Sequence, residues 1–282
     1  VPVIDFNEMR IKVKNKQIDF VLTNPLAYVD LKQHFGIKSI LTLNKKQPNG
    51  IASTLFASVI ITHADNTDIN QLADIKDRII MGVHPEAFGG WQMAFHEMLR
   101  QDIDPFEQSS VKFSHDNSHI TVLNAVLNKE TDVGVIRSGI LESHIAAKKI
   151  DAREIKIINQ HHDDLPVLHS TAHYPEWPFA ALDHIDPDLT DKVFRALISI
   201  TPESKAATSG HYINWTRALD YQPVTKMTYD IKYRHLSFEH FVNEYQTQLI
   251  FSLLFLLSSI VYVAYLRSIN KKLSLSEADL QN

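Results

Sequence analysis

The stretch SHITVLNAVLNKETDVGVIRSGILE, residues 118–142, decides how this chain is read. Residues 118–128 read as a helix, and after a turn the short apolar strand 132–136 ends abruptly on Arg137. A strand apolar throughout is covered on both faces, as in sheets flanked by helices. The same alternation recurs along the chain. Strands are expected at 18–22, 57–64, 78–83, 111–114, 155–158 and 167–172. Helices are expected at 26–35, 88–100 and 189–200, with a short helical turn at 72–76 and a loop at 183–188. In 88–100 the residues Phe88, Trp91, Phe95, Met98 and Leu99 share one face. This is an α/β pattern, and it implies parallel sheets covered by helices. From 212 to 237 it weakens into an aromatic-rich connector.

Composition narrows the function. The 282 residues are 44% apolar and 22% charged, enough for one large core or two modest ones. Lys+Arg 28 against Asp+Glu 33 gives a formal charge of -5, without the basic excess of a nucleic-acid binder, so any anion recognition is local. There is no cysteine, which excludes disulfides and thiolate chemistry. No G-x-S-x-G elbow, P-loop or GxGxxG occurs, and no cofactor is implied.

Residues 249–266, LIFSLLFLLSSIVYVAYL, carry no charge and approach the ~20 residues of a membrane-crossing helix. Glu239 and Glu244 precede the run, and Arg267, Lys271 and Lys272 follow it. By the positive-inside rule the C-terminal side is cytoplasmic and the ~240 residues before the span are extracytoplasmic, in a single-pass inner-membrane arrangement. The tail 267–282 is then a cytoplasmic helical stub, too short for a kinase and suited to begin a signalling helix.

In open α/β sheets ligands bind beyond the carboxyl ends of strands. Arg137 to Gly139, Thr23 to Pro25 and His84 to Gly90 all fall at such ends. Gly89 and Gly90 at a helix start suit close approach of backbone N–H groups to an anion, or alternatively a tight turn for packing. Arg137 offers a planar donor fork for an oxyanion, or alternatively pairs with a neighbour such as Glu142. His161, His162, His169 and His173 cluster with Asp163 and Asp164, a composition that suits zinc or an extracytoplasmic hydrolase. The spacing matches no metal signature, so these are read as loop histidines and no metal is assigned.

The segments IDFVLTNPLAYV (18–29), SHITVLNAVLNKETDVGVIRSGILE (118–142) and STAHYPEWPFAAL (170–182) resemble phosphonate-type periplasmic substrate-binding proteins. The resemblance is nearest to the variant that serves as the sensor region of tetrathionate-sensing histidine kinases. It runs from about residue 18 to 224 and rests on Asn24-Pro25, on Ser118-His119 ahead of Ala125-Val126, and on the Tyr174 to Pro178 run. It implies a two-lobed type II binding-protein fold, hinged around a cleft. Lobe 1 would comprise about 1–62 and 166–240, and lobe 2 about 63–165. The ligand-facing residues it implies are Asn24, Tyr28, Phe88, Gly89, Gly90, Ser118, His119, Arg137, Ser170 and Thr171. His119 alone also reads as a neighbour of a helix cap, and Tyr174 and Trp177 read as packing.

Two departures accompany the resemblance. The chain enters at about the family's second strand, VPVID, so a first strand and helix are expected to be missing and a sheet edge unpaired. The family's phosphonate binders have an acidic residue after the Ser-His pair, where this chain has Ile120, which disfavours a phosphonate relative to a sulfur oxyanion. The resemblance therefore implies a non-enzymatic, membrane-anchored sensor region of a two-component histidine kinase, homodimeric, that binds a small anion such as tetrathionate. The alternative is a membrane-tethered substrate-binding subunit of an anion uptake transporter.

Overall fold

The computed structural model describes residues 5–234 and 238–280. It comprises two compact units, Val1–Tyr229 and Asp230–Asn282. The expected strand at the N-terminus falls on residues 1–4, outside the described residues; Asp5 instead caps a helix, α1 (Phe6–Lys14), by accepting from the Glu8 N–H at 2.8 Å.

The first half of the large unit continues with β1 (Phe20–Leu22), α2 (Pro25–Phe35), β2 (Lys38–Lys46), β3 (Ala52–Ser53) and β4 (Leu55–Phe56). Helix α2 starts at Pro25, whose fixed φ and missing N–H suit a first turn, and stops at Gly36 with φ 70°. The chain then builds β5 (Ser58–His63), β6 (Ile79–Gly82), α3 (Met93–Arg100), α4 (Pro105–Gln108), β7 (Ser110–Phe113), α5 (His119–Leu127), β8 (Val133–Arg137), α6 (Ile140–Ala146) and β9 (Ile155–Ile158). It returns through β10 (Tyr174–Pro175), β11 (Pro178–Ala181), α7 (Pro187–Ile198), α8 (Lys205–Gly210), β12 (Tyr212–Arg217) and α9 (Gln222–Lys232).

Two main sheets result. One runs β1-β11-β2-β12, with β3 on β2, and every pairing in it is antiparallel. The other runs β7-β6-β8-β5-β9. Here only β6 with β7 and β6 with β8 are parallel, while β5 is antiparallel to both neighbours. The expected parallel arrangement is thus confined to three strands: β11 and β12 join the first sheet antiparallel from the C-terminal half, and β5 enters the second antiparallel to β8 and β9. The two chain crossings between the sheets lie side by side: β4 pairs antiparallel with β10, Phe56 opposite Tyr174, and Ser170 N–H donates to the Ser58 carbonyl at 2.8 Å.

Residues 167–172 form no strand. Ser170 Oγ accepts from Ile60 N–H and Thr171 Oγ1 from Ser58 N–H, so side chains complete the hydrogen bonding of β5 where a ladder would. The stretch read as a connector contains β12, an edge strand on β2, and α9; residues 235–237 of it lie outside the described residues.

The second sheet is packed on both faces. Ile60, Ile80, Val133 and Val135 pack on one face with Trp91, Ala94 and Met98, and Val59, Ile61 and Ile136 pack on the other with Val122, Leu123 and Val126. Trp91 stacks on Phe95 and meets Phe106 and Phe113 edge-on, with centroids 5.2–5.8 Å apart. In the smaller unit, helix α10 (Phe238–Leu280) includes Tyr245–Lys271, 27 residues that contain an 18-residue window of mean hydropathy 2.4, long and apolar enough to cross a membrane.

Trp91→Ala should empty the centre of the aromatic group and lower the unfolding free energy by about 3–5 kcal/mol. Denaturant titration followed by circular dichroism reads this directly.

Candidate functional site

A cleft of about 420 Å³ lies where several helices begin. Asn24 caps α2, residues 88–90 open the turn that leads into α3, and His119 is the first residue of α5. Asp5 and Phe6, at the start of α1, complete the convergence. First-turn N–H groups lack intrahelical acceptors and carry the positive end of the helix dipole. The cleft therefore collects partial positive charge before any side chain contributes.

Residues Phe88–Gln92 form a single π-helical turn ahead of α3. Both glycines in it are there for space. A Cβ on Gly90 would lie 2.7 Å from Val83 Cγ2 and 3.0 Å from His119 Cε1; one on Gly89 would lie 3.0 Å from the Phe56 ring and 3.2 Å from Arg137 Cγ. The Gly89 carbonyl is fixed by Ser58 Oγ, which donates at 2.7 Å.

Arg137 stands at the end of β8 with 11% of its side chain exposed. Its Nη2 pairs with Oε1 of Glu176, a carboxylate with no solvent exposure, whose Oε2 accepts from Trp177 N–H at 3.3 Å. The guanidinium also lies 3.9 Å over the Phe56 ring. The salt-bridge reading of Arg137 therefore holds, but with Glu176 rather than Glu142, whose Oε1 accepts from Leu168 N–H. Nε and Nη1 have no protein acceptor among the described residues, which leaves part of the donor fork for the cleft.

His119 lies beside this arginine. Its Nδ1 accepts from the Arg137 backbone N–H at 3.3 Å, which places the ring proton on Nε2. Burial, then the charges of Arg137 and Lys45, push its pKa down to about 4. The ring is neutral at pH 7 and acts as a hydrogen-bond donor. Lys45, on β2, is held below the usual lysine range by the Arg137 charge and then by burial, with Glu176 opposing both. It forms no ion pair among the described residues. Arg137 and Lys45 outnumber Glu176 at this wall, while Asp5 and Glu86 place carboxylates elsewhere on the cleft lining, Glu86 within 3.6 Å of Arg10.

The structure brings Asn24, Phe88, Gly89, Gly90, His119 and Arg137 together on the cleft. It places Tyr28, Ser118, Ser170 and Thr171 elsewhere. Tyr28 is buried, accepts from Ser39 N–H and packs edge-on against Tyr221. Ser118 caps α5 by accepting from Ile120 N–H. Ser170 and Thr171 are buried on β5, as described above. Sequence reasoning missed Phe56, Lys45 and Glu176, and it read Trp177 as packing although Trp177 lines the cleft. The signal available was the lone carboxylate in HYPEWP, an acidic residue amid apolar neighbours.

The depressed His119 pKa has a measurable sign. In the unfolded chain the ring takes a proton near pH 6.5, whereas the folded ring resists protonation until about pH 4. Stability therefore falls as pH drops from 6.5 to 4, by up to about 3 kcal/mol from this group. His119→Gln should flatten that part of the profile of unfolding free energy against pH, measured in detergent solution.

Comparison with known proteins bears on the family and the fold. The family profile described as ABC transporter, phosphonate, periplasmic substrate-binding protein matches residues 1–228. The tetrathionate sensor histidine kinase TtrS of Salmonella typhimurium is 25% identical over 209 residues; the match covers 74% of this chain, which spans 34% of that protein's length. Among solved structures, XAC2383 from Xanthomonas citri bound to ATP superposes with a TM-score of 0.63 at 16% identity, covering 81% of this chain and 82% of that one. PhnD1 from Prochlorococcus marinus in complex with methylphosphonate gives 0.62 at 13%, covering 82% and 85%. The fold is the two-lobed type II periplasmic-binding-protein fold, and the chain belongs to the phosphonate-type periplasmic substrate-binding family.

Proposed function

We propose that this chain is the extracytoplasmic input region of a membrane-anchored two-component sensor, and that its cleft closes on a small oxyanion, a tetrathionate-like sulfur compound in particular. The observation that carries the reading is the neutral-pH donor set of the cleft: the free part of the Arg137 fork, the Nε2–H of His119 and converging helix starts. Asn24 contributes Nδ2, since its Oδ1 accepts from Ala27 N–H. Phe88, Gly89 and Gly90 supply wall and backbone donors. Similarity to TtrS supports the sulfur oxyanion, and the apolar helix α10 supports anchoring.

In this reading residues 1–240 face the periplasm, 249–266 cross the inner membrane and 267–282 lead into a cytoplasmic signalling helix of a homodimer. Lobe closure shifts that helix, because the ligand favours one of two arrangements of the same chain. The chain performs no catalysis. The family's transporter members favour a second reading, a tethered uptake subunit. Removal of 267–282 separates the two, since uptake survives it and signalling does not.

Thermal unfolding of the detergent-solubilised chain against tetrathionate, thiosulfate, sulfate, phosphate and methylphosphonate tests the ligand class. A cognate anion at ~100 times its dissociation constant should add about 2.7 kcal/mol. The control is the double variant Arg137→Met with Glu176→Gln, because Arg137→Ala alone would strand a buried carboxylate. A shift with one anion that disappears in the double variant is expected. A cooperative transition moved by none of the anions would overturn the proposal.

A further inference from the structure

The loop between β9 and β10 brings together three side chains that the cleft does not use. We propose that His161, Asp163 and His169 form a binding site for a transition-metal dication of the zinc class. One ligand atom from each lies within 4.8 Å of the other two. The His161 N–H donates to the His169 carbonyl at 3.0 Å, which closes the loop and sets the two rings 5.7 Å apart at 73°.

His169 carries the argument. It is 1% exposed, and its Nδ1 lies 2.9 Å from the Val167 carbonyl, an acceptor only, so Nδ1 bears the proton. Nε2 then presents a buried lone pair without a hydrogen-bond partner. Asp163 Oδ1 stands 3.2 Å from that nitrogen, a contact that needs either a second ring proton or a shared cation between the two atoms. Ligand bonds of about 2.0–2.2 Å in a tetrahedral site put neighbouring ligand atoms about 3.2–3.6 Å apart, so this spacing is that of two atoms sharing an ion. The bond from Nδ1 to a backbone carbonyl is the usual way a metal-bound imidazole is oriented.

The remaining groups fit. A neutral His161 keeps one lone pair in either tautomer; its Nε2 lies 3.3 Å from Asn159 Nδ2, a long contact that an ion would replace. Asp163 Oδ1 also accepts from Leu165 N–H, and Oδ2 lies 3.6 Å from His173 Nδ1. Water would take the fourth position, and His173, 37% exposed, lies outside the three-residue group. The ion would anchor the segment from His169 to Glu176, which completes β5 through Ser170 and Thr171 and ends on the carboxylate that holds Arg137.

The alternative is an imidazolium at His169 that donates to both Val167 and Asp163 and takes no metal. Untagged full-length chain in detergent micelles, titrated with Co²⁺ and then Zn²⁺, distinguishes the two. The proposal predicts one equivalent of Co²⁺ with the visible absorption of a four-coordinate nitrogen and oxygen site, displaced by Zn²⁺, and one equivalent of zinc retained after dialysis. Asp163→Asn and His161→Gln, which leave the buried ring itself intact, should each weaken uptake at least tenfold while the metal-free unfolding midpoint stays within a few degrees of the parent. Absence of stoichiometric uptake by the parent, or equal uptake by parent and variants, would overturn it.

Discussion

The buried ion pair between Arg137 and Glu176 is the constraint on which the rest of the site depends. Arg137 ends a strand of the second sheet, and Glu176 lies between β10 and β11, where the chain has come back to the first. Desolvating two such charges is costly and is offset only by close pairing and by hydrogen bonds to the remaining atoms. Here Trp177 N–H serves the second carboxylate oxygen, and Tyr221 O–H donates to the Glu176 carbonyl at 2.7 Å. Tyr221 is itself set by Thr42 and by the edge of Tyr28. Residues far apart in sequence thus converge to hold one guanidinium at the wall of the cleft.

That arrangement explains the chemistry. Glu176 occupies one side of the fork and fixes its plane, so the free donors point in a set direction. His119 is kept neutral by its burial and then by the neighbouring charges of Arg137 and Lys45, so it can donate to an anion without adding a further charge beside Arg137. The backbone at Gly89 and Gly90 can come close because Phe56, Val83 and Arg137 fill the space that side chains there would need.

Local sequence pattern revealed what local physics decides. The helix at Pro25, the strand ending on Arg137, the His119 helix start and the Gly89-Gly90 turn were all legible, because caps, apolar runs and glycines act within a few residues. What was not legible depends on pairing across the chain. Antiparallel β11 and β12 join the first sheet from more than a hundred residues away, and an apolar run does not say which strand it will meet. The stretch 167–172 looked like a strand because its residues are buried, yet Ser170 and Thr171 use their hydroxyls where a strand would use its backbone. Ser170 and Thr171 were named as ligand-facing by the family resemblance, and their hydroxyls here serve β5. Glu176 and Lys45 enter the site only through tertiary contact, so no spacing announced them.

A double-mutant cycle on Arg137→Met and Glu176→Gln, read as unfolding free energies by denaturant titration, tests this account most directly. If the pair holds the two lobes' elements together, each single change costs about 3–5 kcal/mol, since it strands a buried charge or its partner. The double variant should then cost clearly less than the sum, with a coupling of about 1–3 kcal/mol. Strict additivity, or single variants as stable as the parent, would contradict it.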